Sequence, residues 1–182
     1  MKVLYVRTMF VTTAISALTV GSLIAATGAQ AAGTTTTFTL GSGALSISAP
    51  ASAALGAGSP GGTVTNQLGT VTVTDARALL TASWTASAST STFVTGAGGP
   101  DEIIPASAVT YASGPATASS GVGVMTPGQP LATATTALPV TAFRLTLGVG
   151  NNSASWDPTI QIAVPNAAVT GTYTGTITHS VA

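Results

Sequence analysis

In residues 70 to 74 and again in 80 to 89, apolar and hydroxylated side chains take turns. Val71 and Val73 alternate with Thr70, Thr72 and Thr74; Leu80, Ala82, Trp84, Ala86 and Ala88 alternate with Thr81, Ser83, Thr85, Ser87 and Ser89. Successive side chains of an extended chain point to opposite faces, whereas a helix repeats every 3.6 residues, so the pattern demands strands with one apolar and one hydroxylated face. The same alternation recurs at Phe38 and Leu40, at Leu45 and Ile47, at Phe143, Leu145, Leu147 and Val149, at Ile160, Ile162 and Val164, and at Tyr173, Ile177, His179 and Val181. Threonine, which fills most of the intervening positions, is at home in strands. The runs are separated by turn-forming stretches: SPGG at 59 to 62, GAGGP at 96 to 100, TPGQP at 126 to 130 and GVGNN at 148 to 152. No stretch carries helical periodicity, because the alanine-rich pieces are cut by Gly, Pro or β-branched residues. Residues 112 to 137, rich in small residues, read as a long surface connection or as weak edge strands. Many short one-sided strands with frequent turns predict an all-β fold, an antiparallel β-sandwich of immunoglobulin-like or Greek-key type.

The first 31 residues read as an export signal that is cleaved. Lys2 and Arg7 form a basic start, residues 9 to 26 are mostly apolar or small, and Ala29-Gln30-Ala31 offers small residues at the two positions a signal peptidase needs. Residues 32 to 182 then make one domain, long enough for a sizeable core. That domain carries Arg77 and Arg144 against Asp75, Asp101, Glu102 and Asp157. Two arginines without a lysine cannot neutralise a run of phosphates, so nucleic acid is not an expected partner. An anionic membrane surface is disfavoured for the same reason, and contact with a membrane is expected only through the signal during export. Cysteine is absent, so neither disulfides nor thiolate chemistry contribute. A surface solvated by hydroxyls and amides suits a location outside the cytosol, secreted or in the wall.

Chemistry-bearing residues are few. His179 is the only histidine, so a histidine relay or a multi-histidine metal site lacks its other members. Asp101 and Glu102 are adjacent and point in opposite directions if extended, unlike the facing carboxyls of a glycosidase. Asp75-Ala76-Arg77 sets an acid and a base on one side, as an ion pair or cap at a strand end would. No serine sits in a G-x-S-x-G elbow. The expectation is a protein that is not an enzyme, with no catalytic residue, no metal and no cofactor.

Two stretches resemble a known family. The run VTVTDARALLTASWTASASTSTF, residues 71 to 93, is similar to the part of WxL-domain proteins where a V-x-V-x-D-x-R strand leads into the tryptophan of the proximal motif. The closing GTYTGTITHSV resembles their distal motif. Tyr173 and Thr178 keep their places, Ile177 stands where leucine is usual, His179 replaces a tryptophan and Val181 a leucine. In the proximal motif Trp84-Thr85-Ala86 keeps the tryptophan and lacks the leucine. The resemblance implies an exported surface protein of a Gram-positive bacterium, attached to peptidoglycan without a covalent anchor.

Trp84, Trp156, Tyr173, Ile177, His179 and Val181 form the candidate ligand-binding set. Facing inward they are core residues whose polar atoms need partners; facing outward their rings can stack on sugars. The expected partner is cell-wall peptidoglycan or another surface polymer or protein. A structural subunit of a surface layer or filament is the alternative, because charge-poor, threonine-rich strand edges invite pairing between chains.

Overall fold

The computed structural model describes residues 35 to 41, 43 to 129 and 139 to 182; the expected export signal lies outside them. Residues 35 to 39 belong to no helix or strand, and Leu40–Ala182 form one compact unit. Its elements are β1 (Leu45–Ser48), β2 (Thr63–Gln67), β3 (Val71–Asp75), β4 (Ala82–Thr90), β5 (Phe93–Val94), β6 (Ile103–Ile104), β7 (Val109–Ala112), β8 (Ala116–Pro127), β9 (Val140–Trp156), β10 (Thr159–Ala163) and β11 (Ile177–Val181). Among the described residues the only helical pieces are two single 3₁₀ turns, Pro100–Glu102 and Ala106–Ala108. The fold is all-β and every strand pairing is antiparallel, as the two-residue alternation predicts.

The longest strand, β9, organises the largest sheet. Trp156 pairs with Val71 of β3 and Ala116 of β8, and Leu145 pairs with Trp84 of β4 and Met125 of β8. Since β8 runs along one edge of β9, β3 and β4 must follow each other along the other edge. Beyond them lie β1 on β3 and β11 on β4, the two end strands of the sheet. A second sheet has the order β2-β10-β7, and β5 pairs with β6 alone.

β9 does not stay straight. Phe143 and Trp156 lie 13 residues apart, about 43 Å along an extended strand at ~3.3 Å per residue, yet their rings stack with centroids 4.9 Å apart. The strand therefore doubles back between them. The bend falls where Leu147 and Gly150 adopt positive φ, 55° and 68°, opposite the β3–β4 connection. It overturns one expectation: Phe143 and Leu145 are buried, but Leu147 and Val149, expected on the same apolar face, are 80% and 47% exposed. Leu80 likewise lies outside β4 and is exposed.

One hydrophobic cluster unites the sheets. Val71, Val73, Trp84, Ala86, Phe143, Leu145 and Trp156 from the larger sheet meet Val109, Tyr111, Ile160 and Ile162 from the smaller. The hydroxylated faces lie outside and pair across strands, at 2.8 Å for Thr72–Ser155, 2.9 Å for Ser87–Ser180 and 2.7 Å for Ser120–Ser153. Each apolar–hydroxyl alternation thus supplies core on one side and a cross-strand hydrogen bond on the other. β8 lies within residues 112 to 137 and is an edge strand, one of the two readings of that stretch, whose residues 130 to 137 lie outside the described ones; Ala116 through Val124 are all exposed.

Candidate functional site

β11 continues the parity read from the sequence: Ile177, His179 and Val181 are half-buried and Thr178 and Ser180 exposed. Its pairing with β4 sets His179 opposite Ala88, a residue too small to cover the imidazole. Tyr111, reaching across from β7, makes the contact instead. The Tyr111 hydroxyl lies 3.0 Å from His179 Nε2, and its oxygen accepts the Trp156 Nε1–H at 3.1 Å. An indole nitrogen can only donate, so the Tyr111 hydroxyl hydrogen is free to donate to Nε2, and this arrangement, with the imidazole proton on Nδ1, satisfies the most groups. Nδ1 is buried and has no hydrogen-bond partner. Burial lowers the His179 pKa below the ordinary histidine value and pushes the Tyr111 phenol up. Both side chains are therefore neutral at pH 7.

Beside His179 lies a partly open cavity of about 160 Å³, between residues 49 to 55 and the end of the chain. Pro50, Leu55, Leu68, Phe93, Ile177 and His179 line it, with the hydroxylated residues Ser52 and Thr176. A volume near 150 Å³ accommodates about one six-membered ring. Phe93 forms its wall because residue 175 is glycine: a methyl group there would stand 2.7 Å from the Phe93 ring. Tyr173, ahead of the glycine, is held with its hydroxyl 3.0 Å from the Val169 carbonyl and 3.2 Å from that of Asp101. The Thr174 backbone bonds Val94 in both directions, which ties this approach to β5.

The six candidate residues do not form one surface. Ile177 and His179 line the cavity, Tyr173 and Val181 pack half-buried against the core, and both tryptophans are interior, Trp84 being 2% and Trp156 0% exposed. The expectation that Trp84 and Trp156 contact a ligand is corrected by that burial, which leaves neither ring a face to stack on. Tyr111, Phe93 and Leu68, not singled out from the sequence, belong to the site. Val109-Thr110-Tyr111 does alternate, but three residues between small-residue stretches make a weak signal.

The sequence pair Asp75 and Arg77 belongs to a different place. Asp75 is 1% exposed, and its carboxylate accepts Arg77 Nε at 2.9 Å, Nη2 at 2.9 Å and the Arg77 backbone N–H at 3.0 Å. Arg77 Nη2 also donates to the Ser83 carbonyl at 2.8 Å. Asn152 completes the group: its Oδ1 accepts Trp84 Nε1 at 2.8 Å, and its Nδ2 lies 3.4 Å from Asp75 Oδ2 and 3.3 Å from the Gly150 carbonyl. These side chains clamp the junction where β3 gives way to β4 and β9 bends. The Arg77 guanidinium holds the Asp75 carboxyl below the usual carboxylate range, against the opposing pull of burial. Glu102 is a local cap, its carboxylate accepting the backbone N–H groups of Ala97 and Gly99 at 3.0 and 2.7 Å. Among the described residues no three of His, Asp and Glu gather closely enough to hold a metal ion. No protein-family model, curated protein or solved structure matches this chain.

Proposed function

We propose that this chain is an exported, non-enzymatic binding module that holds cell-wall peptidoglycan noncovalently, a divergent relative of WxL domains. The observation that carries the reading is the partly open cavity of about 160 Å³ built on the closing GTYTGTITHSV segment, with apolar walls beside hydroxylated Ser52 and Thr176. Apolar surface with a few hydroxyls suits the weakly polar face of a sugar ring or an acyl group. The V-x-V-x-D-x-R strand and the tryptophan after it support the resemblance by acting together, as the clamp of Asp75, Arg77, Asn152 and Trp84. The two sheets and their shared core are taken as a β-sandwich of the kind the resemblance implies. Contact with a ligand then falls to His179 and the apolar lining of the cavity, in which Phe93 is a 6% exposed wall, and not to the tryptophans.

Sedimentation of purified protein with isolated Gram-positive cell walls tests the proposal. The protein is expected in the pellet, and Ser52→Trp, which fills the cavity from its lining, is expected to leave it in the supernatant while melting at an unchanged temperature. Wild-type protein remaining wholly in the supernatant would remove the reading.

A structural subunit of a surface layer or filament is the second reading. It is favoured by the exposed aliphatic residues at the bend, where Val122 pairs with Val149, Leu147 stands two residues before it and Leu80 follows the Leu79 carbonyl that accepts from the Gly150 N–H, and by the charge-free edge strand β8. Light scattering distinguishes the two: concentration-dependent assembly abolished by Val122→Lys supports the subunit, and a monomer at high concentration opposes it.

A further inference from the structure

The chain from Trp156 through Tyr111 to His179 joins three strands, β9, β7 and β11, and is the one polar link between the smaller sheet and the last strand among the described side-chain hydrogen bonds. One direction satisfies the most groups. Trp156 donates, Tyr111 accepts and donates, and His179 Nε2 accepts. A proton added to His179 occupies that acceptor. Nε2–H can then only donate toward the Tyr111 oxygen, and the tyrosine hydrogen loses its acceptor. The second nitrogen gives no relief, because Nδ1 is buried and without a partner.

No charge nearby compensates the imidazolium. Tyr111 is the titratable group that faces His179 from β7, and it stays neutral. Trp156 of β9 does not titrate. Ala86 and Ala88 of β4, Val71 of β3, Phe93 of β5 and residues 49 to 55 around the cavity carry neither carboxylate nor cation. β11 is also lightly anchored, since it is five residues long, lies at one end of the sheet and pairs with β4 alone.

We propose that β11 is an acid-released latch: protonation of His179 takes the acceptor from the Tyr111 hydroxyl, leaves a charge without a counter-charge between the sheets and frees the last strand, and with it one wall of the cavity, while the bent sheet of β3, β4 and β9 stays formed. The lowered pKa that burial gives His179 fits this direction. A histidine whose folded value lies below its unfolded value of about 6.5 contributes fully above 6.5, and the contribution is lost as pH falls from there toward the folded value. Release by mild acid needs no ligand, so the inference stands or falls independently of wall binding.

His179 is the only histidine in the chain, so the window from pH 7 to pH 5, which spans the ordinary histidine value of about 6.5, is the one to follow. Amide hydrogen exchange of the full chain, corrected for intrinsic rates, is the primary measurement. Protection at Ile177 to Val181 is expected to fall with acid, by up to about tenfold per pH unit, with protection at β3 and β9 unchanged. His179→Gln, which keeps an acceptor for Tyr111 and cannot titrate, is expected to flatten the dependence. Titration of the wild-type imidazole by NMR supplies a second test that needs no variant. An imidazole that protonates at or above the ordinary value, or β11 protection indifferent to pH in the wild type, overturns the proposal. So does the same acid dependence in a folded His179→Gln protein.

Discussion

Removing Arg77 probes the clamp at its charged centre. The Asp75 carboxylate is 1% exposed, and in Arg77→Met only the backbone one of its three hydrogen bonds to residue 77, at 3.0 Å, is kept, with Asn152 Nδ2 at 3.4 Å as a distant second partner. Stripping one member from a buried ion pair costs about 3 to 5 kcal/mol, most of it the penalty of the charge left behind. Because the Arg77 side chain is 28% exposed, water can approach the vacated side, which favours the lower end, about 3 kcal/mol. For a domain of this size each kcal/mol moves Tm by roughly 3 to 4 °C, so a drop of about 10 °C is expected at pH 7. The penalty carries its own signature. With Arg77 present, the Asp75 carboxyl titrates below 3.8, so its stabilising contribution is complete above that value and is lost as pH falls through it toward the lower folded value. The gap between wild type and Arg77→Met should therefore narrow between pH 7 and pH 3. Adding Asp75→Asn to Arg77→Met should recover part of the loss, because it removes the buried charge. Urea denaturation of the three proteins at both pH values makes the comparison. A loss under about 1 kcal/mol at pH 7, or a gap independent of pH, would refute the view of Asp75 as a buried anion held by its neighbour.

Other outcomes follow from the same geometry. Trp84→Phe leaves Asn152 Oδ1 without its 2.8 Å donor and is expected to cost about 1 to 3 kcal/mol in urea melts, while the folded variant sediments with cell walls as the wild type does. Gly175→Ala presses a methyl group against Phe93 and should destabilise by about 1 to 3 kcal/mol, with wall retention reduced more than that of Trp84→Phe. Leu147→Asp, at a position 80% exposed, should change stability by no more than about 0.5 kcal/mol; a larger loss would show that the bend needs an apolar residue there.

Much of the architecture is local information. Val71 and Val73 against their threonines, and Ala82 to Ala88 against theirs, place each side chain on its observed face, because strand period and burial period are both two. β10 and β11 follow the same rule. It fails at Leu147 and Val149, where the alternation continues in sequence but the backbone turns through a positive φ and exposes both residues. The candidate site was legible in part: Ile177 and His179 were identified as facing one way, whereas Tyr111, Phe93 and Leu68 came from segments too short or too distant to be linked to them. The Asp75-Ala76-Arg77 pair was visible as an acid beside a base, but nothing in that spacing indicates Asn152 as the residue that joins it to Trp84.

The amino-acid order alone determined that this chain makes antiparallel strands with one apolar and one hydroxylated face, and that it does so without disulfides and with few charges. Only the tertiary structure decided which aromatic rings are interior, that β9 doubles back to stack Phe143 on Trp156, and that His179 meets a tyrosine rather than a carboxylate. The physical reason is the range of the interactions. Side-chain parity is set by neighbours in sequence, whereas burial of a particular ring and the partner of a particular nitrogen depend on contacts between residues tens of positions apart, 45 for Trp156 with Tyr111 and 68 for Tyr111 with His179.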